Sequence, residues 1–533
     1  MRGTVRGSIV LPFRKHVSRA VGSSIIVALL AAGGGCGTSK EEEKPSSRAS
    51  YAPAACPTPN VPGSPEANLG PEFTCGYLTV PENRTKPDGR TIRIAVARLK
   101  ATSSQPQPDP IVWLAGGPGA SATALAPLIA QVKPSLNADR DFIFVNQRGT
   151  LHTDPSLTCP EIDTFAHDAV SWVATDPATV RKNDEATKTC RTRLAKAGID
   201  LSAYNSTENA ADIADLRTAL GIKEWNVYGV SYGTDLALQV ARNHPQGIRS
   251  MVLASILPPQ ASVMEDPWPN AASGYQVLFD ACAAQPACNS AYPNLRTEFM
   301  TTVQQLDQKP LTVNVPATEN QPATTVVIDG YRLADLLVGT AINPGTFEDI
   351  PAIVHALAAG DGLPAAKAIL GIAPSASEIG LVGYGLQFGV FCREHAASAF
   401  TNRQKAHAMA KAALPDFPDR VLSLLPQVPY LFSVCEIWDV GQADASVRSP
   451  VHSDIPTLLM VGSLDGVTPP RWAEMAARSL SKSQTLVFPG LGHRVIGASE
   501  CARITMISFL NQPTGGYDTS CVANVTVPPF TIK

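Results

Sequence analysis

The stretch Trp225-Asn226-Val227-Tyr228-Gly229-Val230-Ser231-Tyr232-Gly233-Thr234 decides the reading of this chain. Its first half has the composition of a short buried strand. Its second half is a Gly-x-Ser-x-Gly turn, and Asp235 to Ala241 places apolar groups at helical spacing. A serine between a strand and a helix sits on a strained turn that exposes its hydroxyl. Side chains two residues to either side would collide with the neighbouring strand or helix, which accounts for Gly229 and Gly233. Gly-x-Ser-x-Gly alone occurs in many chains by chance; the strand before and the helix after give it weight. Met251-Val252-Leu253-Ala254, following Ile248, reads as the next buried strand of the same unit.

Parallel-strand patterning extends outward on both sides. Ile111-Val112-Trp113-Leu114 is wholly apolar and should be central; it ends in Ala115-Gly116-Gly117-Pro118-Gly119-Ala120-Ser121. Asp141 to Val145 reads as a further buried strand closed by Asn146-Gln147-Arg148-Gly149-Thr150, and a helix is expected from about Glu208 to Leu220. Tyr77 to Pro81 and Thr91 to Leu99 read as two strands joined through Lys86-Pro87-Asp88-Gly89, the second alternating like an outer antiparallel strand. Residues 260–440 lose strand–helix alternation, are mostly helical by pattern, and are expected as a cap inserted over the sheet; a separate domain is the alternative. The alternation returns at Pro456 to Gly462 and Gln484 to Phe488, with helices about Arg471 to Ser481 and Ser499 to Leu510. The expected class is α/β: a doubly wound, mostly parallel sheet with an inserted, mainly helical cap. Its core covers residues 71–259 and 441–533.

The 533 residues include 44% hydrophobic and 17% charged side chains, and the formal net charge is −3. That balance argues against nucleic acid as a partner, since no basic cluster appears beyond the N-terminus. There, Arg2, Arg6, Arg14, Lys15 and Arg19 precede the apolar run Ile25 to Ala32, too short to span a bilayer comfortably. This reads as an export signal over residues 1–36. Gly33-Gly34-Gly35-Cys36 resembles a bacterial lipoprotein cleavage site, with Gly33 in place of the usual Leu. On that reading Cys36 is lipidated and the membrane is met only through the lipid; plain secretion is the alternative. Residues 37–70 are rich in Lys, Glu, Ser, Pro and Ala, the composition of a flexible tether.

Setting Cys36 aside leaves ten of eleven cysteines, an even number in an exported chain. They fall into couples adjacent in sequence: Cys56 and Cys75, Cys159 and Cys190, Cys282 and Cys288, Cys392 and Cys435, Cys501 and Cys521. Five local disulfides are expected, although spacing does not fix connectivity. No Cys/His group has zinc-ligand spacing, so neither a metal site nor a cofactor is expected.

A serine hydroxyl needs a base within reach and a group to orient that base. In a doubly wound sheet such groups collect beyond the carboxyl ends of the strands. Of nine histidines, His493 follows the last strand in Gly490-Leu491-Gly492-His493. Asp465 follows the preceding strand in Gly462-Ser463-Leu464-Asp465, whereas Asp454 precedes that strand and belongs at its other end. The chain order Ser231, Asp465, His493 is that of the α/β-hydrolase triad. The oxyanion donors are expected to be the backbone N–H of Tyr232 and that of Gly117 or Gly116, because Pro118 has none. Each such donor typically contributes about 3–4 kcal/mol to the transition state.

These stretches together resemble the prolyl iminopeptidase and tripeptidyl aminopeptidase group of α/β-hydrolases, especially its secreted bacterial branch. The resemblance rests on Gly116-Gly117-Pro118-Gly119, Asn146 to Thr150, Gly229 to Thr234, Gly462 to Pro469 and Gly492-His493, and it is weakest in the cap. Asn146 stands where the group usually has Asp, and Leu151-His152 replaces a small residue. The resemblance implies a serine peptidase releasing di- or tripeptides from a free amino end, which requires an anion near the substrate ammonium. Cys392-Arg393-Glu394 resembles the group's Cys-x-Glu/Asp segment, making Glu394 the first candidate and Glu436, beside Cys435, the second. Two rivals stand beside it: a carboxylesterase with the same machinery, and a catalytically silent surface protein that uses the fold for binding.

Overall fold

The computed structural model describes residues 49–58, 69–318, 322–342, 347–373, 380–396 and 403–532. In chain order its strands are β1 (Ser50–Ala54), β2 (Phe73–Pro81), β3 (Thr91–Leu99), β4 (Ile111–Leu114), β5 (Phe142–Val145), β6 (Trp225–Val230), β7 (Ile248–Ala254), β8 (Leu311–Val315), β9 (Thr324–Ile328), β10 (Thr457–Gly462) and β11 (Ser483–Phe488). Nine of them form one sheet in the order β1-β2-β3-β5-β4-β6-β7-β10-β11. From β1 to β5 the pairing is antiparallel; from β5 to β11 it is parallel.

The central parallel strands β4 and β5 are wholly apolar because both faces are covered, whereas the edge strand β11 is polar and half-buried. Alternate residues supply two cores. Val112, Leu114, Val227, Met251, Leu253, Leu459 and Val461 face one of them. Ile111, Trp113, Tyr228, Val252, Ala254, Leu458 and Met460 face the other. β4 lies between β5 and β6, so the chain leaves it in one direction and returns on its other side. Such a switch opens a crevice at the carboxyl ends of the strands, where Gly116 and Ser231 lie.

The expected fold class holds, with three differences in detail. Part of the stretch expected as tether is strand: β1 pairs with β2, and Cys56 behind it is bridged to Cys75. β3 is not an outer strand; it is paired with β2 and β5, and its exposed residues are Thr91, Arg93 and Arg98. The insertion between β7 and β10 is helical except for a separate hairpin, β8–β9, whose alternation was not read from the sequence. The export signal and Cys36 lie outside the described residues. Disulfides join Cys159 to Cys190, Cys282 to Cys288, Cys392 to Cys435 and Cys501 to Cys521. No helix among the described residues is long and apolar enough to cross a membrane.

Candidate active site

Ser231 joins β6 to the helix Tyr232–Asn243 with φ 56° and ψ −126°, in the left-handed region that a serine adopts only when its surroundings impose it. A Cβ on Gly233 would strike the carbonyl oxygen of Leu114 at the end of β4, so only glycine lets the elbow helix approach this closely. The Ser231 N–H donates to Ala254 O at 3.1 Å, fixing the turn to the end of β7. Thr234 N–H and Oγ1 both donate to Ser231 O, at 2.8 and 2.6 Å. As the first residue of the helix, Tyr232 has an N–H with no acceptor inside it.

Gly116 lies against this turn: a Cβ there would be 2.8 Å from Ser231 Cβ and 3.4 Å from its Oγ. The loop after β4 is braced by the Asn146-Gln147-Arg148 segment after β5. Gln147 Nε2 donates to Ala115 O at 2.8 Å, and Asn146 Oδ1 accepts from Thr123 N–H at 2.9 Å. Asn146 Nδ2 donates to Leu151 O at 2.5 Å, a bond that an aspartate could not make. Leu151 leads into His152, which is buried, has φ 69°, and meets Thr123 Oγ1 through Nδ1 at 2.8 Å. Burial lowers the His152 pKa to about 4, so the imidazole is neutral. The two departures from the group's pattern thus belong to one another. Arg148 is fully buried and bidentate to Asp212, with both N···O distances 2.8 Å, and it also donates to the carbonyls of Glu82 and Ala203.

Asp465 and His493 follow adjacent strands, β10 and β11. Their loops are laced together by Leu464 N–H to Leu491 O (2.9 Å) and Gly490 N–H to Ser463 Oγ (3.0 Å). His493 Nδ1 lies 2.8 Å from Asp465 Oδ2. The other carboxylate oxygen accepts the N–H groups of Val467 and Thr468 at 2.9 and 2.8 Å. Burial would push Asp465 up, but His493 and the Thr468 hydrogen bonds outweigh it and hold the carboxyl below its ordinary value. Ser255 Oγ donates to the His493 carbonyl, and Ser255 itself follows the Ala254 that anchors Ser231. Thr468 is a residue whose part the sequence did not reveal. Its Oγ1 donates to Asp465 Oδ2 at 2.7 Å and lies 3.1 Å from His493 Nδ1. The only sequence signal is an Asp followed three residues later by Thr, as in a side-chain-capped turn.

Over Ser231 lies a cavity of about 120 Å³, lined on the core side by Gly117, Leu257, Thr468 and Trp472, and on the inserted side by Val338, Phe391 and Val428. A larger cleft of about 580 Å³ shares one lining residue with it, Gln427. Asp163, Asp335, Tyr384 and Arg494 line that cleft. Gln427 has φ 65°, and its N–H and Nε2 donate to Asp335 Oδ1 at 2.8 and 2.9 Å. Burial raises the Asp335 pKa against those bonds.

Neither expected ammonium-binding acid lines the Ser231 cavity. Glu394 is 2% exposed, with its carboxyl turned onto Ser206. Glu436 is on the surface, paired with Arg403 at 3.0 Å. The Cys-x-Glu spacing does not reveal the direction of the acid, which lies on a π-helical turn, Phe391–His395, and faces Ser206.

A doubly wound sheet with a left-handed serine at the switch point and an Asp–His pair beyond the last strands defines the class of protein. A family model described as alpha/beta hydrolase fold matches residues 109–496, and the chain belongs to that family. Among curated relatives, it is 31% identical over 206 residues to the tripeptidyl aminopeptidase of Streptomyces coelicolor, 36% of each chain. It is 29% identical over 250 residues to the serine protease Hip1 of Mycobacterium tuberculosis, 44% of this chain and 46% of the relative. The match thus spans less than half the length of either. A putative hydrolase of Escherichia coli, YuaR, is 23% identical across 86% of this chain and 89% of its own. The proline iminopeptidase structure from Mycobacterium smegmatis superposes with a TM-score of 0.38 at 17% identity, covering 82% of this chain and 98% of that one.

Proposed function

We propose that the protein is an exported serine hydrolase that cleaves short peptides from a free amino end through an acyl-enzyme on Ser231. The observation that carries the reading is the pairing of a left-handed Ser231 elbow with a hydrogen-bonded Asp465–His493 pair at the ends of nearby parallel strands. Ser231 Oγ attacks the carbonyl carbon and His493 Nε2 takes its proton. The tetrahedral oxyanion is met by the N–H groups of Tyr232 and of Gly117, which lines the Ser231 cavity. Collapse returns the proton to the leaving amine; water then repeats the sequence on the ester. Asp465 and Thr468 hold the imidazole so that Nδ1 carries its proton toward the carboxylate.

The relatives' names, tripeptidyl aminopeptidase and serine protease, support peptide over ester. A free ammonium needs a carboxylate, and on this proposal it is Asp335, which lines the larger cleft and is hydrogen-bonded to Gln427, a residue that lines both cavities. Five disulfides fit an oxidising compartment outside the cytoplasm, consistent with export and with a lipid anchor at Cys36. The second reading, a carboxylesterase, is favoured by one observation: the space directly over Ser231 is small, apolar and free of acids among its lining residues. It would hold roughly four waters at ~30 Å³ each, room for one aliphatic group.

The test compares a tripeptide anilide bearing a free amino end with its N-acetylated twin and with a short aryl ester. The peptidase reading expects turnover of the free-amine anilide alone, raised KM by roughly tenfold in Asp335→Asn, and none in Ser231→Ala. Inert anilides with a rapidly cleaved ester would replace it with the esterase.

A further inference from the structure

The turn Phe391–His395 sends two side chains in different directions. Phe391 lines the Ser231 cavity, while Glu394 reaches the floor of the elbow. Glu394 Oε1 accepts the Ser206 N–H at 2.7 Å, and Oε2 lies 2.7 Å from Ser206 Oγ. That hydroxyl lies 2.9 Å from Tyr232 Oη. All three side chains are buried. Ser206 opens the helix Ser206–Ala219, so the N–H that Glu394 takes is one the helix itself leaves without an acceptor. Tyr232 is the residue after Ser231. The Cys392–Cys435 bridge fixes the turn from the other side.

We propose that Glu394 is a positioning residue: through Ser206 it holds the Tyr232 side chain, and with it the Tyr232 N–H that meets the oxyanion. This rests on the serine-hydrolase reading above. It gives the inserted segment a direct mechanical hold on the reacting centre, separate from its role in walling the cavity. A residue fixed at its ring and at the helix start leaves little freedom for the N–H between them, and a misplacement of about 1 Å can cost on the order of a hundredfold in rate.

The protonation of this chain gives the proposal its readout. Facing Glu394 are Asp235 on the elbow helix, the Arg448 guanidinium from the turn Ala445–Arg448, Tyr232, and the neighbouring His395, whose Nε2 lies 3.2 Å from Arg448 Nη1. Burial, then Asp235, pushes Glu394 up to about 8 against the Ser206 bonds and Arg448. At neutral pH the acid is therefore protonated. Its carboxyl stays bonded to the Ser206 hydroxyl, which lies against Tyr232 Oη. Loss of that proton places a buried charge beside Asp235 and changes what the Ser206 hydroxyl bonds.

The experiment measures kcat and KM from pH 6 to 10 on the best substrate, for the full chain and for Glu394→Gln, Glu394→Ala and Tyr232→Phe. Wild type should lose kcat above about pH 8 with KM unchanged. Glu394→Gln should keep kcat at pH 7 within about threefold and lose the alkaline decline. Glu394→Ala and Tyr232→Phe should each lower kcat by roughly 10- to 100-fold with KM little changed. A rise in KM with kcat kept in Glu394→Gln would make the acid a substrate contact and overturn the proposal. So would an alkaline limb that persists in that variant, or a wild-type profile flat to pH 10. If Glu394→Ala fails to fold, Glu394→Gln and Tyr232→Phe still decide. Activity surviving in Ser231→Ala would instead sink the serine-hydrolase reading itself.

Discussion

At the scale of single residues, the candidate site is legible wherever chemistry follows from position at a strand end. Ser231, Asp465 and His493 are picked out because each lies just beyond the carboxyl end of a parallel strand, and Asp465 and His493 do meet. Thr468 is not legible in the same way. Its hydroxyl reaches both Asp465 and His493 only because the chain folds back over three residues. Replacing it with valine removes a hydrogen bond to a charged group, about 1.5–3 kcal/mol. kcat/KM should fall roughly 10- to 150-fold, alongside the stability lost with the buried bond. Loss of stability without loss of rate would contradict that role. Asn146→Asp deletes the donor to Leu151 O beneath the His152 turn. Here it should destabilise by about 1–3 kcal/mol, read from urea unfolding, and a neutral result would detach Asn146 from the Leu151-His152 feature.

Elements were read from hydrophobic pattern, and the reading succeeds where burial is two-sided. β4 and β5 are continuous apolar runs, β7 and β10 carry the runs 251–254 and 458–461, and each is an interior strand. It fails where pattern and burial part company. Ser50 to Ala54 lacks an apolar alternation, yet it is held as an edge strand by β2 and anchored beside the expected Cys56–Cys75 bridge. β8 and β9 alternate too briefly to stand out among helices. Two predictions belong at this scale. Gly233→Ala sets a Cβ against Leu114 O and should cost about 3 kcal/mol or more, separating the elbow helix from β4; a soluble, equally stable variant would show that the approach is looser. Opening Cys392–Cys435, a 43-residue separation, by double substitution to serine should cost about 2–4 kcal/mol. It should also lower kcat, because the bridged turn carries both Phe391 and Glu394. A stability loss with kcat intact would confine the bridge to folding.

Across the whole molecule, the inserted segment is the part least legible in sequence, since helical pattern says nothing of which side chains reach the sheet. Its Glu394 packs against Asp235 of the elbow helix, and both acids are pushed above their ordinary values. Glu394 rises from 4.5 to about 8 and Asp235 from 3.8 to about 6, burial being the first cause for both. A folded pKa above the unfolded one means that the native chain binds the extra proton. The stability these groups contribute is whole below the unfolded values and is lost as pH rises through the folded ones. The gap in thermal midpoint between wild type and Glu394→Gln should therefore shift steadily against wild type from about pH 5 to 9; a constant gap would place the acid's ordinary pKa in the folded state. Asp465 runs the other way, its contribution disappearing as pH falls below its ordinary range.

Every role proposed for the site follows from Ser231 as the nucleophile that His493 activates. Mass-spectrometric mapping of a fluorophosphonate adduct, in wild type and in His493→Ala, tests that most directly. One adduct on the peptide carrying Ser231, formed at least a hundredfold more slowly without the imidazole (roughly the 10²–10⁴ that general-base catalysis contributes), is the predicted result. No adduct, or an adduct on Ser255, the other left-handed serine beside the His493 carbonyl, would contradict the account.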